Sequence, residues 1–386
     1  MRDLAGYLQR RWQAGLFRRV RTLHTDGRRV CSDDGSWLTP FCSNDYLGLA
    51  GEPRVAEAVA SAARSHGAGS GAAHLVSGHR PAHEYLEREL AAFLGRERAL
   101  LFSTGYMANM GVIDALSARG DTVVQDRLNH ASLLDGGRLS EARLVRYAHA
   151  DAASAAERLQ TARGERLVAS DGVFSMDGDI APVAELAAAA RDQDALLMVD
   201  DAHGIGVVGD HGAGSVAGAG IGQDQVPVLV GTLGKALGGS GAFVAGSAEL
   251  CDYLVQAARP YIYTTAVPPA VAEGVRTALS ILQAEPARRH HLRSLVEQFR
   301  DGARRRGLSL MPSDTAIQPV RVGDAEAATA WSAALAERGY LVTAIRPPTV
   351  PEGSARLRVT LSAAHTERDV TGLLTALDAA RERATG

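Results

Sequence analysis

The sequence predicts an α/β protein, with a mostly parallel sheet in a large domain and a smaller α+β C-terminal domain. Two observations predict it. From about residue 50, short and nearly continuous apolar runs alternate with helix-like stretches, the pattern of strands buried on both faces between covering helices. After about residue 270 that alternation gives way to charge-rich helical stretches and a few separate apolar runs. A length of 386 residues suits about two domains. We divide the chain into an N-terminal arm over 1–40, a large domain over 41–280 and a small domain over 281–386.

In chain order, MRDLAGYLQRRWQAGLFRRVRTL interleaves arginines with apolar residues; it reads not as a secretory signal but as an amphipathic helix, either a surface or targeting helix or, as is commoner, one packed on its own protein. A hairpin-like piece spans Arg28–Thr39 around Asp33, Asp34 and Gly35. Pro53 opens a helix that ends near Gly67, and Pro81 opens another that ends at Gly95; proline just inside the start and glycine just past the end mark helices. Strands are expected at Ala99–Phe102, Thr122–Val124, Leu167–Ala169, Leu196–Val199, Val228–Val230 and Ala242–Ala245. The C-terminal part reads as one or two helices over Val271–Arg306, a strand at Ile317–Val322 and a helix around Ala325–Arg338. Strands at Tyr340–Ile345 and Ala355–Leu361 follow, with a closing helix from Glu367.

Composition narrows the class. With 46% hydrophobic and 22% charged residues the chain is ordinary soluble protein, not a disordered tail, a collagen-like repeat or a disulfide scaffold. A formal net charge of -3 offers no basic field to nucleic acid. No uncharged apolar run approaches the roughly 18 residues of a membrane span. Cys31, Cys42 and Cys251 form no CxxC pair, which favours a reducing, cytoplasmic setting.

One number is unusual. Of the 41 basic side chains, Lys235 is the one lysine and every other is arginine. Codon bias explains the skew but not the survivor. An arginine neither titrates usefully nor forms an imine, whereas a desolvated lysine amine does both.

Polar residues directly after apolar strands form sites in open α/β sheets, and four such places converge. In ALLFSTGYMANMGVIDAL a strand runs through Ser103, Thr104 and Gly105 into a helix whose free N–H groups suit a phosphate, although any capped turn looks the same. In LLMVDDAHGIGV, Asp200 and Asp201 close a strand and His203 follows; the carboxylate suits a cation or a protonated ring nitrogen, and too few ligands cluster here for a metal. In LVGTLGKALGGSGAF, Lys235 follows Thr232 by three residues in a glycine-rich turn that lacks P-loop spacing. In DRLNHAS, His130 follows a strand and can lie flat over an aromatic ligand. A lysine for an imine, an aspartate for a ring nitrogen, a helix mouth for a phosphate and a ring to stack together fit pyridoxal 5′-phosphate.

The ordered set FCSNDYLGLA (41–50), LVSGH (75–79), LLFSTGYMAN (100–109), DRLNHASLLDG (126–136), SDGVFSMDGDIAPV (170–183), VDDAHGIGVVG (199–209) and GTLGKALGGSGA (231–242) resembles the α-oxoamine synthase family. The likeness extends over about residues 15–380. It implies a fold-type I pyridoxal-phosphate-dependent transferase, aspartate-aminotransferase-like, acting as a homodimer with its active sites at the subunit interface. By the same resemblance Lys235 forms the imine and moves the α-proton, Asp200 pairs with the ring nitrogen, and His130 stacks on the ring. His203 and Ser175 would contact the phenolic-oxygen side, while Gly105, Tyr106 and Thr232 hold the phosphate, with Thr264 or Thr265 reaching the neighbouring subunit's phosphate. Arg356 and Arg358 alternate on one strand face, and the family pattern favours Arg358 for the amino acid's carboxylate. Arg18 and Thr349 resemble positions on the acyl side.

The stretch 343–366 is most similar to the branch that joins L-alanine to a pimeloyl thioester, pimeloyl-CoA or pimeloyl-acyl carrier protein, in biotin biosynthesis; other branches use glycine or serine. One departure stands out: Ala73 and His74 occupy places where many relatives carry a serine and a basic residue.

Overall fold

The structure, a computed structural model, describes residues 2–31 and 35–385. Its centre is a seven-stranded sheet of β1 (Arg98–Phe102), β2 (Thr122–Asp126), β3 (Arg143–Tyr147), β4 (Arg166–Asp171), β5 (Leu196–Asp200), β6 (Val228–Thr232) and β7 (Ala242–Gly246). The spatial order is β1-β7-β6-β5-β4-β2-β3. Only β7 runs antiparallel to its neighbours; the remaining pairs are parallel. Alternate side chains feed two cores. Leu100, Val123, Leu167, Met198, Val230 and Val244 pack on one face, and Leu101, Val124, Val168, Leu197, Leu229 and Phe243 on the other. Burial on both faces is why these strands read as continuous apolar runs.

One strand escaped that reading. β3, Arg-Leu-Val-Arg-Tyr, lies at the sheet edge with both arginines turned outward, so its sequence carries too little apolar signal to stand out. The helix signals hold where proline opens them. The helices Pro53–His66 and Pro81–Leu94 begin at their prolines, and Gly95 closes the second at φ 62°, a left-handed cap that a side chain would strain.

The C-terminal part contains a three-stranded antiparallel sheet of β8 (Ile317–Gly323), β9 (Thr343–Ile345) and β10 (Ala355–Thr360), in the order β8-β10-β9. The Val271–Arg306 stretch resolves into two helices, Pro269–Ala284 and Ala287–Arg305. The strand expected over Tyr340–Ile345 divides at the buried Val342. Tyr340–Leu341 runs parallel to Trp37–Pro40 of the N-terminal segment, while β9 joins β10. The hairpin is present as the pairs Val30↔Leu38 and Cys31↔Trp37; its turn residues Asp33 and Asp34 lie outside the described residues.

The N-terminal expectation needs correcting. The helix Leu4–Gln13 forms, but it buries none of its residues. Leu4, Tyr7, Leu8 and Trp12 face outward, so the apolar face of the helix is left uncovered by the described residues of its own chain. No helix among the described residues is long and apolar enough to cross a membrane.

Candidate active site

The carboxyl ends of β1, β2, β4, β5 and β6 open onto one cavity of about 220 Å³, lined by Gly105, Tyr106, Asn109, His130, Ser132, Asp171, Ser175, Asp200, Ala202, His203, Thr232 and Lys235. Each strand delivers its residue by a local device. After β1, Thr104 caps the helix Gly105–Leu116 by accepting the Met107 N–H at 3.1 Å. The N–H groups of Gly105 and Tyr106 find no acceptor among the described residues, and a Cβ on Gly105 would meet nothing within 4 Å. The helix mouth is therefore open and positively polarised.

After β2, Asn129 latches two strand ends together, donating to the Ala169 carbonyl at 2.8 Å and accepting the Asp171 N–H at 3.0 Å. The His130 N–H donates to Asp171 at 2.6 Å. His130 Nδ1 accepts the Ser132 N–H at 3.3 Å and lies 2.7 Å from Ser132 Oγ, so the neutral ring carries its proton on Nε2. Burial lowers its pKa and favours that neutral form.

After β5, Asp200 is 6% exposed. It accepts the Ala202 N–H at 3.0 Å and the Asn109 amide at 2.5 Å, and it pairs with no cation among the described residues. Asp201 turns away. It accepts the Ser215 N–H at 2.5 Å beside Gly172, Gly204 and Gly214, and burial pushes its carboxyl up to about 7. After β6, Thr232 donates to the Gly241 carbonyl at 3.1 Å, and Lys235 Nζ lies 2.8 Å from His203 Nε2. Burial lowers the lysine to about 8 against the opposing pull of Asp200 and Asp171. The other His203 nitrogen meets the Tyr46 hydroxyl at 2.6 Å; burial and the Lys235 charge keep that ring neutral.

The two arginines of β10 separate cleanly. Arg356 is spent on Asp177, 2.6 Å away. Arg358, 7% exposed, donates to the Ser175 carbonyl at 2.6 Å, to Thr360 at 2.9 Å and to Asn44 at 3.1 Å. It meets no carboxylate among the described residues. A buried guanidinium with only neutral acceptors is set up to take an incoming carboxylate.

Thus Lys235, Asp200, His130, His203, Ser175, Thr232, Gly105 and Tyr106 come together, with Arg358 adjoining through Ser175. Arg18 and Thr349 do not enter this cluster. Both are exposed, in segments brought side by side where Arg346 donates to the Gly15 carbonyl.

Asn109 was missed in the sequence. Its amide donates to both Asp200 and Ser132, tying the aspartate to the histidine, and its own buried Oδ1 has no partner. Its place inside FSTGYMAN, one turn past the helix mouth, was the available signal. His74, His79 and His83 also bring ring nitrogens together. His83, however, spends both on the Arg80 N–H and the Val267 carbonyl, leaving that trio two histidines, fewer than a metal site wants.

An unpaired buried carboxylate, a lysine poised to be neutral, a flat imidazole and an open helix mouth are the donor set that pyridoxal phosphate requires, and the residues fit it. The chain belongs to the class I and II aminotransferase family, which it matches over residues 38–377, and within it to the α-oxoamine synthases. It is 61% identical over 378 residues to the 8-amino-7-oxononanoate synthase of Alkalilimnicola ehrlichii, covering 97% of each chain. With that of Thioalkalivibrio sulfidiphilus it shares 59% over 384 residues, 98% of this chain and 97% of the other. Among solved structures, serine palmitoyltransferase from S. paucimobilis with a bound PLP–myriocin aldimine superposes with a TM-score of 0.93 at 30% identity over the whole of both chains. The 8-amino-7-oxononanoate synthase of Francisella tularensis gives 0.80 at 29% identity, over 92% of this chain and 100% of that one.

Proposed function

We propose that this protein is a pyridoxal-phosphate-dependent C-acyltransferase of biotin biosynthesis. It condenses L-alanine with a pimeloyl thioester, on CoA or acyl carrier protein, to give 8-amino-7-oxononanoate, CO2 and the free thiol. The observation that carries the reading is near-full-length identity of 57–61% to synthases of that name. The fold does not discriminate, since the serine palmitoyltransferase superposes at least as well and the two solved enzymes are equally distant at 30% and 29% identity; the shared name of the relatives at 57–61% identity does.

When bound, pyridoxal phosphate supplies an electron sink for charge developing on the amino acid's α-carbon. The chain's part is to bind, orient and move protons. The N–H groups of Gly105 and Tyr106, with Thr232, would hold the phosphate; Asp200 would keep the ring nitrogen protonated, and His130 would stack on the ring. Ser175 and His203 would contact the phenolic-oxygen side. Arg358 takes the alanine carboxylate, fixing which α-substituent faces Lys235, whose amine takes the α-proton and later returns one. Arg18 and Thr349 are assigned to the acyl end by their resemblance to family positions alone.

The test pairs the purified enzyme with pimeloyl thioester and each of alanine, glycine and serine, following thiol release. Alanine should give the highest kcat/KM by at least about tenfold; a clear preference for glycine or serine would overturn the assignment.

The working unit is proposed to be a homodimer. Val76 is 79% and Tyr263 71% exposed. Both lie beside Leu75, Tyr106 and Met107, also exposed, in segments joined by the Ala73↔Thr265 bridge and the Ser103–Thr265 hydrogen bond. Apolar groups clustered at a site's rim are what a partner subunit covers. Light scattering should give the mass of two chains, and Val76→Asp should shift it toward one. A wild-type enzyme active as a monomer would sink the idea. The thiols of Cys42 and Cys251 support a reducing, cytoplasmic compartment.

A further inference from the structure

We propose that His149 is a positioning residue for this reaction: held as an imidazolium between Asp126 and Asp179, it clamps the loop 172–181 and thereby aims Arg358 at the amino acid's carboxylate. The proposal rests on the reading of Arg358 given above.

His149 lies just past β3 and does not line the cavity. Its Nδ1 is 3.0 Å from Asp126 Oδ1 and its Nε2 2.8 Å from Asp179 Oδ2. Ionised carboxylates only accept hydrogen bonds, so both ring nitrogens must donate and the ring must carry a charge. Burial opposes that charge, but the hydrogen bonds and charges of Asp126 and Asp179 outweigh it and hold the group up to about 10. Asp126 is itself pinned, accepting the Leu128 and Ala150 N–H groups at 2.7 Å each. Ala150 keeps a left-handed φ of 50° to do so, a conformation that a residue with a Cβ adopts at a cost and that persists where its surroundings enforce it. The Phe174 ring meets His149 edge-on at 4.4 Å. The other titratable groups near this pair are Tyr147 of β3, kept neutral by burial, and Asp171 of β4, each pushed up in part by the Asp126 charge.

The clamped loop is the piece that lies between His149 and the β10 arginines. It folds back on itself through the Val173↔Ile180 bridge, Phe174 N–H to the Asp179 carbonyl at 3.0 Å and Gly178 N–H to the Phe174 carbonyl at 2.8 Å. Gly178, at φ 77°, packs so closely on Ile317 and Ser313 that a Cβ would sit 2.4 Å from the Ile317 carbonyl oxygen. Between these anchors the loop presents the Ser175 carbonyl to Arg358 and Asp177 to Arg356. The Gly178 carbonyl also accepts from Ser313 at 2.8 Å and Thr315 at 2.9 Å, so releasing Asp179 removes the loop's ion pair to His149 and loosens the loop without detaching it.

The test uses His149→Gln and Asp179→Asn. In the holoenzyme, His149→Gln should raise the KM for alanine roughly tenfold while changing kcat and the KM for the thioester less than about threefold, the scale of one lost charge-assisted hydrogen bond acting on one substrate. Asp179→Asn keeps an acceptor but removes a charge, so the histidine loses its proton at lower pH. The KM for alanine, taken as a ratio to the wild-type value at the same pH, should then be near one at pH 6.5 and climb as pH rises. In cofactor-free protein, the amides of Phe174 and Gly178 should exchange hydrogen at least tenfold faster in His149→Gln. Unchanged exchange and unchanged KM overturn the proposal, as does a fall in kcat together with a rise in both KM values. If His149→Gln does not fold, the Asp179→Asn pH profile decides alone. The exchange measurement is independent of substrate: if alanine fails as substrate while exchange accelerates, the assigned reaction is wrong and the clamp stands.

Discussion

Replacing Lys235 with alanine is expected to lower turnover of alanine and pimeloyl thioester by roughly a thousandfold or more, the scale of losing both a covalent anchor and a proton carrier. The melting temperature of the cofactor-free protein should change little, because the lysine amine lines a cavity and is held there by one hydrogen bond, to His203. No neighbour can substitute. Every other basic side chain except histidine is arginine, and a guanidinium keeps its proton and forms no imine; Lys235→Arg should therefore be as inactive as Lys235→Ala. The lowered pKa adds a second readout. With the amine at about 8 rather than 10.5, acetic anhydride should modify Lys235 in cofactor-free protein at a rate that rises through pH 8 and levels off above it. A rate still rising steeply at pH 10 would mean that the amine is an ordinary exposed lysine.

Asp200→Asn is expected to cost roughly a hundred- to a thousandfold in kcat, comparable to removing one preorganised electrostatic partner from a dry reacting centre. The amide matches the carboxylate in shape: its one oxygen can accept from Ala202, and its NH2 can donate to the unpartnered Asn109 Oδ1 once that amide turns over, so the fold should survive. What it cannot do is hold a proton on a ring nitrogen. The neighbouring Asp201 is the control. It is equally buried, but its carboxylate is turned to Ser215 and a cluster of glycines, so Asp201→Asn should leave kcat within a few-fold. Equal losses in the two variants would remove the reason for assigning the ring nitrogen to Asp200.

What was legible in the sequence follows the physics of burial. Strands covered on both faces announce themselves as apolar runs, so six of the seven sheet strands were readable. The edge strand Arg143–Tyr147 was not, since at the sheet edge Arg143 and Arg146 are exposed and leave only Leu144 and Val145 as an apolar run. The N-terminal helix shows the limit of amphipathicity: the pattern states that a face needs cover, not which surface provides it. Strand-end residues such as Asp200, His130 and Lys235 were readable because the sheet's carboxyl edge is where a ligand sits. Asn109 and His149 were not, because each acts by holding another residue, across 91 positions in one case and 30 in the other, and no local pattern marks such a pair. The alternation of Arg356 and Arg358 placed both on one face, but only Asp177 in the folded loop separates the paired arginine from the available one.

The account turns on one amine holding the cofactor, and borohydride reduction of the holoenzyme followed by peptide mass mapping tests it most directly. The cofactor's mass should appear on the peptide containing GTLGKALGG, at Lys235, and nowhere else. An enzyme that turns over yet carries the reduced cofactor at its terminal amine, or carries none, would contradict it.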